Sequence, residues 1–476
     1  MSDVSRLVAQ LGDWRARSGA LGERLADALG AVIERGALDG VRLPAERRLA
    51  AALGVSRATV VHAYTELRRR RLVASRERSG TVVRSLGRRG RAPGTQLPQL
   101  PRLLAPDAAH VDLAVASPPL DDLLAGVGVE LAEAAGQVEP HGYDPQGMPA
   151  LRAAVAERLT DRGAPTDAAE VLITNGAHEA LALLSTLFVG RGQPVAVDAT
   201  TYPGALELFE RAGGRPVALA GDRAGMRPDL LRDLLRRSVV ALLYLMPGCH
   251  SPTGGSIALG RRPALLRAAA ERDLLVVEDA ALDELRFDGP LPPLRALAPQ
   301  RVVHVGSLDK LAWAGLRIGW IVAPRPTIGR LTQLKAAHDL GTAILSQLAA
   351  LRLLHAADGL RRSRVEQARA RMEHLRSELN ARVPTWTIAR PQGGWSLWAE
   401  LPRSAGIDGD ALAAAASRHG VDVAAGRPHL AAPASRGEAG RGERVAAVRV
   451  AYAAPEPLLT LGAERLAAAW RELADG

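Results

Sequence analysis

The sequence predicts two folds in succession: a small α+β module at the N-terminus, then a larger α/β domain with a smaller C-terminal subdomain. Three observations predict this. From residue 111 onward, strand-like and helix-like segments alternate, the pattern of a mostly parallel sheet covered by helices. Before residue 86, short helical periodicities give way to a two-strand pattern. Charge is also divided: residues 1–91 hold 19 Arg against 9 Asp and Glu, whereas the remainder balances at 42 basic and 42 acidic residues. An excess of +10 confined to the first fifth of the chain is the footprint of a nucleic-acid-binding module.

Composition narrows the class further. At 476 residues the length suits two to three domains, and 47% apolar residues suffice for a large core. A single cysteine, Cys249, excludes an intrachain disulfide and fits a reducing compartment. The N-terminal run MSDVSRLVAQLGDW lacks a signal-peptide core, and no apolar run approaches membrane-spanning length. The expectation is a soluble cytoplasmic protein without a membrane partner. No metal-ligand set is assigned.

In residues 1–85, Leu21, Leu25, Leu29, Val32 and Ile33 mark one helix face, with Gly36 or Gly40 as its end. Pro44 suits the first turn of a second helix through Leu49 and Leu53 that stops at Gly54. Ser56 is an N-cap for a third, which buries Val60, Tyr64 and Leu67. Two short helices around a glycine turn make a helix-turn-helix. Residues 72–75 and 81–83 read as strands of a hairpin around Glu77-Arg78-Ser79-Gly80.

The stretch LPAERRLAAALGVSRATVVHAYTEL…LVASRERSGTVV resembles the winged helix-turn-helix of GntR-type bacterial regulators over about 65 residues. The resemblance implies that Arg47 reaches phosphate or base. It implies that Ser56, Arg57 and Thr59 open a recognition helix facing the major groove, and that Ser79 and Gly80 tip the wing. The physics agrees, since recognition-helix N-termini meet base edges and Arg is bidentate to guanine. The arginine run at residues 68–71 departs from the family pattern; it either adds phosphate contacts or is a solvated helix end. Residues 86–110 mix Gly, Pro and Arg without periodicity and read as a semi-extended linker.

Within residues 111–476, the stretch RVVHVGSLDKLAWAGLRIGWIVAP carries the chemistry. The chain holds only two lysines, Lys310 and Lys335, against 59 arginines. A chain so turned toward Arg keeps Lys where Arg cannot serve. One such place is a Schiff base, which needs an amine able to lose its proton. Ser307 lies three residues before Lys310 and Arg317 seven after it, groups able to hold a phosphate. This resembles the cofactor-lysine segment of fold-type I pyridoxal-phosphate enzymes, the aspartate aminotransferase superfamily. Lys335 lies in a helix-like run without such a context.

Further blocks carry the resemblance. HGYDPQGMPALR gives Tyr143, which in the family approaches the partner subunit's cofactor phosphate. VLITNGAHEALALLSTLF is a strand, Gly176 and a helix, whose N-terminus suits an anion; the resemblance places Gly176, Ala177 and His178 on the phosphate. DATTYPG offers Tyr202 as the ring-stacking aromatic. In LLYLMPGCHSPTGG, Ser251 stands where the superfamily has an Asn that bonds the ring hydroxyl. In LLVVEDAALDELRF, Asp279 matches the carboxylate that pairs with the pyridine nitrogen, ahead of Glu278 or Asp283 by register, and the usual following Tyr is replaced by Ala281 and Leu282. In the last segment Arg449 matches the arginine that forks an amino acid's α-carboxylate.

A GntR-type reader joined to such a domain is the arrangement of MocR/GabR-type transcriptional regulators. The resemblance implies a homodimer that binds a double-stranded DNA operator, carries pyridoxal 5'-phosphate on Lys310, and senses a small amine or amino-acid effector. The rival reading is a catalytically active aminotransferase with an accessory winged helix; a third is a sensor of the cofactor itself. Ser251 and Ala281 weigh against efficient transamination, so enzyme activity is expected to be at most residual.

Overall fold

The structure is a computed structural model that describes residues 20–34, 43–70, 72–76, 80–83, 110–124, 126–137, 141–432 and 445–475, together with Leu11 and Trp14. It divides into two compact units, Met1–Thr95 and Gln96–Gly476. Most of the expected linker, residues 86–109, and Ser79 lie outside the described residues.

In the first unit, helices α1 (Leu21–Glu34) and α2 (Glu46–Leu53) both pack on α3 (Arg57–Arg69). Leu25, Leu29, Leu49, Val60, Tyr64 and Leu67 form its dry centre, the residues that helical spacing had placed on inward faces. The second helix starts later than expected. Pro44 precedes the N-cap Ala45, and its carbonyl accepts the Tyr64 hydroxyl at 2.8 Å. Pro44 thus lies just before the helix, not in its first turn. Gly54 ends α2 in the left-handed region, φ 62°, where a side chain would be strained. Strands β1 (Val73–Arg76) and β2 (Gly80–Val83) pair antiparallel, so Gly80 closes a short hairpin. The hairpin is tied back by the Leu43 amide donating to Thr81 O at 2.9 Å. Two members of the arginine run are held within the unit: Arg69 and Arg70 both donate to Glu66, and Arg70 also pairs with Asp27.

The second unit is built on a seven-stranded sheet. Its strands are β4 (Val171–Thr174), β5 (Pro194–Asp198), β6 (Arg215–Leu219), β7 (Leu243–Leu245), β8 (Val276–Asp279), β9 (Val302–Ser307) and β10 (Gly319–Val322). Their order across the sheet is β4-β10-β9-β8-β7-β5-β6, with β10 antiparallel to both neighbours and the other pairs parallel. Strands β4, β8, β9 and β10 are buried on both faces, which explains their apolar runs. Helix α4 (Pro149–Asp161) precedes β4; α5 (Ala177–Phe188) and α6 (Pro203–Arg211) follow β4 and β5. Helix α7 (Arg325–Asp339) follows β10.

The smaller C-terminal subdomain is a second sheet of β11 (Thr387–Ile388), β12 (Ser396–Glu400), β13 (Val421–Ala425) and β14 (Ala447–Ala451). Strand β3 (Val111–Leu113) joins its edge, parallel to β13. The first strand of the domain thus lies in the same sheet as the last. No described helix is long and apolar enough to cross a membrane, and no group of three or more described His, Cys, Asp or Glu residues is placed to hold a metal ion.

The Ser56 hydroxyl caps α3 by accepting the Thr59 amide at 3.2 Å. Ser56→Ala is therefore expected to destabilise the N-terminal unit by about 1 kcal/mol, read as an earlier unfolding transition of that unit by differential scanning calorimetry.

Candidate cofactor site and DNA-reading face

The site forms where strands of the large sheet end. Strand β10 runs between β4 and β9, opposing Gly319 to Thr174 on one side and to Ser307 on the other. A Cβ at Gly319 would stand 2.6 Å from the Gly176 carbonyl carbon and 2.7 Å from the Ala177 amide nitrogen, so only glycine fits. This approach brings the N-terminus of α5 beside the loop after β9. Gly176 adopts φ +81° as the N-cap of α5, and a Cβ there would meet Asp309 Oδ2 and Arg317 Nη2. The first turn of α5 thus faces a guanidinium, with amides unpaired by the helix and a dipole that favours an anion.

Arg317, in the left-handed region at φ 55°, pairs with Asp309 at 3.2 Å and donates to the Asn175 carbonyl. Ser307 Oγ donates to Ile318 O at 3.1 Å and accepts the Asp309 amide at 3.0 Å. Lys310 Nζ donates to Ala116 O at 3.0 Å. Burial first, then Arg449 and Arg317, push this amine down to about 8 against the opposing pull of Asp309. An amine there is partly neutral at physiological pH. His178 stands edge-on to the ring of Tyr202, 6.5 Å between centroids, and burial with the Arg317 charge lowers its pKa. Burial and then Asp279 push the Tyr202 phenol up to about 12.

Asp279 ends β8 and is buried. It accepts the Tyr244 hydroxyl at 2.7 Å and the Ala281 amide at 3.1 Å. Burial nevertheless raises its pKa, because neither bond brings a positive charge. The neighbouring acids are engaged elsewhere. Glu278 points to the opposite face of the strand, accepting the Leu294 and Arg295 amides and His304 Nδ1. Asp283 is buried against the Cys249 amide at 3.1 Å.

Arg449 is buried in β14 opposite Trp398 and Ala424. It donates to Ala114 O, and its Nε has no partner. The residues after β3 therefore form a strap: Ala114 on Arg449, Ala116 on Lys310, and Ser117 Oγ on Asp309 O at 3.1 Å. Ser251 precedes Pro252 in a cis bond, one residue after His250, which bonds Thr253 at 2.9 Å. Tyr143 does not join this constellation within the chain. It is 59% exposed, and its ring stacks on His141 at 5.6 Å.

In the first unit, Arg57 stands at the start of α3, 3.0 Å from Glu46 at the start of α2. Thr59 and Ser56 share their hydroxyls at 2.9 Å. Arg47 is exposed on α2.

Sequence reasoning missed Tyr244, Asp309, Asn175 and the strap. Tyr244 reads locally as one more apolar strand residue, and its partner appears only when β7 aligns beside β8. Lys335 was also under-read. It is completely buried, donating to both Glu179 oxygens at 3.1 Å and to Asp339 at 2.6 Å.

A mixed sheet that brings a buried amine, a helix N-terminus and a lone carboxylate together defines a fold-type I pyridoxal-phosphate domain. The three features fit that cofactor: the Gly176 cradle beside Arg317 suits its phosphate, Asp279 its ring nitrogen, and Lys310 its aldehyde. The chain belongs to the aminotransferase class I and II family, matched over residues 111–452, in the MocR-type group that adds the domain of bacterial regulatory proteins of the gntR family, matched over residues 21–83. It is 31% identical over 396 residues to the HTH-type transcriptional regulator YdfD of Bacillus subtilis, covering 76% of this chain and 80% of that protein. It is 30% identical over 369 residues to the HTH-type pyridoxine biosynthesis transcriptional regulator PdxR of Corynebacterium glutamicum, covering 74% and 77%. The crystal structure of LysN, the alpha-aminoadipate aminotransferase of Thermus thermophilus complexed with N-(5'-phosphopyridoxyl)-L-leucine, is similar with a TM-score of 0.70 at 30% identity, covering 80% of this chain and 96% of that one. Pyridoxal 5'-phosphate is the cofactor of this family and fold.

Capture of that cofactor by cofactor-free protein should follow the neutral fraction of Lys310. Its rate should rise about tenfold per pH unit and level off above about pH 8, followed by the growth of protein-bound visible absorbance. Lys310→Ala should show no such band at any pH. A rate independent of pH below that value would mean that another group reacts.

Proposed function

We propose that this chain is a pyridoxal-phosphate-dependent transcriptional regulator that answers to an amine or amino-acid effector. The observation that carries the reading is the Lys310 amine, held on the Ala116 carbonyl among Asp279, Arg317 and Arg449, in a chain that also bears a helix-turn-helix. The cofactor, when bound, supplies an aldehyde and an electron-withdrawing ring. The other tasks fall to the chain. Gly176, Ala177, His178, Ser307 and Arg317 would hold the phosphate, and Tyr202 the ring face. Asp279, oriented by Tyr244, would keep a proton on the ring nitrogen, and Ser251 would reach the ring hydroxyl. Arg449, with one nitrogen lacking a partner, would fork the effector's carboxylate.

The exposed Tyr143 supports a homodimer in which each copy completes the other's phosphate site. Two readers then favour repeated half-sites in the operator. Arg47, Ser56, Arg57 and Thr59 would face DNA, with Ser79 and Gly80 at the wing. Arg57 would exchange Glu46 for a base edge or phosphate. Regulation is then a difference in effector affinity between two arrangements of the reader and the sensing unit, joined through residues 86–110. A DNA-binding chain with one buried, unpaired thiol suits the cytoplasm.

A working transaminase is the second reading. It is favoured by 35% identity over 310 residues to the 2-aminoadipate transaminase of Thermus thermophilus, covering 63% of this chain and 75% of that one. Serine at position 251 and alanine at 281 leave the ring hydroxyl with weaker partners, which disfavours turnover. Titration of the loaded protein with amines should shift its visible spectrum and its operator affinity together. Rapid amino-group exchange with keto acids would select the transaminase, and operator affinity that follows the cofactor alone would select a cofactor sensor.

Arg57→Ala should weaken operator binding at least about tenfold, the worth of one good base contact, while the cofactor band persists. Operator affinity of the wild type should fall steeply as salt rises, since phosphate contacts release counterions. Both are measurable by fluorescence anisotropy. Unchanged affinity in the variant would move the reading face elsewhere on the unit.

A further inference from the structure

The second of the two lysines has no part in the chemistry above, yet it is the more buried. Lys335 lies on α7 behind the phosphate cradle, with no exposed surface. Its three N–H groups meet three acceptors: Glu179 Oε1 and Oε2 at 3.1 Å and Asp339 Oδ2 at 2.6 Å. Both carboxylates also grip Asn175. Glu179, in the first turn of α5, accepts its backbone amide, and Asp339 accepts its side-chain amide at 2.7 Å. Asn175 in turn presents its carbonyl to Arg317 and is followed by Gly176.

The network continues away from the cradle. Asp339 Oδ1 accepts the Gly341 amide at 3.0 Å. Gly341 forms an isolated bridge with Asp144, so closely that a Cβ would stand 2.6 Å from the Asp144 carbonyl oxygen. Asp144 follows Tyr143 and caps the turn by accepting the Gly147 amide at 2.9 Å. One ammonium therefore stands between the phosphate cradle and the turn that carries Tyr143.

We propose that Lys335 is a positioning residue for the phosphate cradle, and that it couples occupancy of the cradle to the Tyr143 turn. The inference rests on the reading of Gly176 and Arg317 as a phosphate site and of Tyr143 as the residue that reaches the partner. Without the ammonium, Glu179 and Asp339 oppose each other as unpaired like charges. They then part or take up a proton, and Asn175, held by both, moves Arg317 and Gly176 with it. Loss of the ammonium also leaves the two carboxylates one unit more negative behind the cradle, which disfavours an anion in front of it. A guanidinium does not substitute: it is larger and planar, whereas these acceptors surround a compact tripod whose own side chain has no exposed surface. The arginine-rich chain thus retains lysine twice, once for an amine that loses its proton and once for one clasped by two carboxylates.

The test compares pyridoxal 5'-phosphate with phosphate-free pyridoxal, each titrated into full-length protein by absorbance. Lys335→Met should weaken the phosphorylated ligand at least about tenfold, in keeping with loss of charged hydrogen bonds, and pyridoxal less than about threefold. Lys335→Arg should behave like Lys335→Met despite its charge. Adding Asp339→Asn to Lys335→Met should recover about threefold of the loss by removing one opposing charge. A purely structural role would weaken both ligands alike. That result, or Lys335→Arg binding as wild type does, overturns the proposal. Should Lys335→Met fail to fold, Lys335→Arg and the double variant make the same comparison. A wild type that does not prefer the phosphorylated ligand would instead remove the cradle reading and the proposal with it. For the coupling, saturating pyridoxal phosphate should slow hydrogen exchange over residues 141–148 in wild type and not in Lys335→Met. Equal slowing in both overturns that half.

Discussion

The close backbone contact of Gly319 with Gly176 and Ala177 is the constraint on which the site depends. It exists because β10 enters the sheet antiparallel between two parallel neighbours. Any Cβ at Gly319 would push apart the N-terminus of α5 and the loop after β9. The helix dipole, Arg317 and Lys310 would then no longer converge on one volume. Cofactor chemistry in this chain therefore begins with a packing fact, and the charged groups are arranged around it.

Electrostatics follow from that packing. Lys310 and Asp279 are both pushed toward their neutral forms by burial, in opposite directions along the pH scale. Neither forms an ion pair among the described residues, although Asp309 pulls on Lys310 and Lys310 on Asp279. Lys335 is the contrast. It is as buried as a side chain can be, but two carboxylates satisfy it. The same residue type in the same domain is thus prepared either to react or to hold, according to its partners.

Much of this was legible in the chain. The three helices and the hairpin of the first unit follow from apolar spacing, the Gly54 stop and the Ser56 cap, all local physics. Lys310 was legible because its residue type is so rare here, and Asp279 because it ends an apolar strand. Tyr244 was not legible. Its sequence context is an apolar strand, and its meaning comes from the alignment of β7 with β8. The arginine run at residues 68–71 was only half legible: Glu66 sits on the same helix, but Asp27 comes from α1. The role of Lys335 was half hidden for the same reason: Asp339 lies one turn away on its own helix, but Glu179 stands 156 residues away in the chain.

The sequence by itself determined the two-part plan, the basic reader, the lysine able to lose a proton and the helix N-terminus offered to an anion. These depend on period, composition and residue chemistry, which are properties of short stretches. Only the tertiary structure decided that Asp279 meets a phenol and an amide while Glu278 and Asp283 are engaged elsewhere, that Arg449 is buried with one nitrogen lacking a partner, and that the residues after β3 return to strap Lys310. Those depend on which strands lie side by side, and strand adjacency is set by the packing of the whole domain.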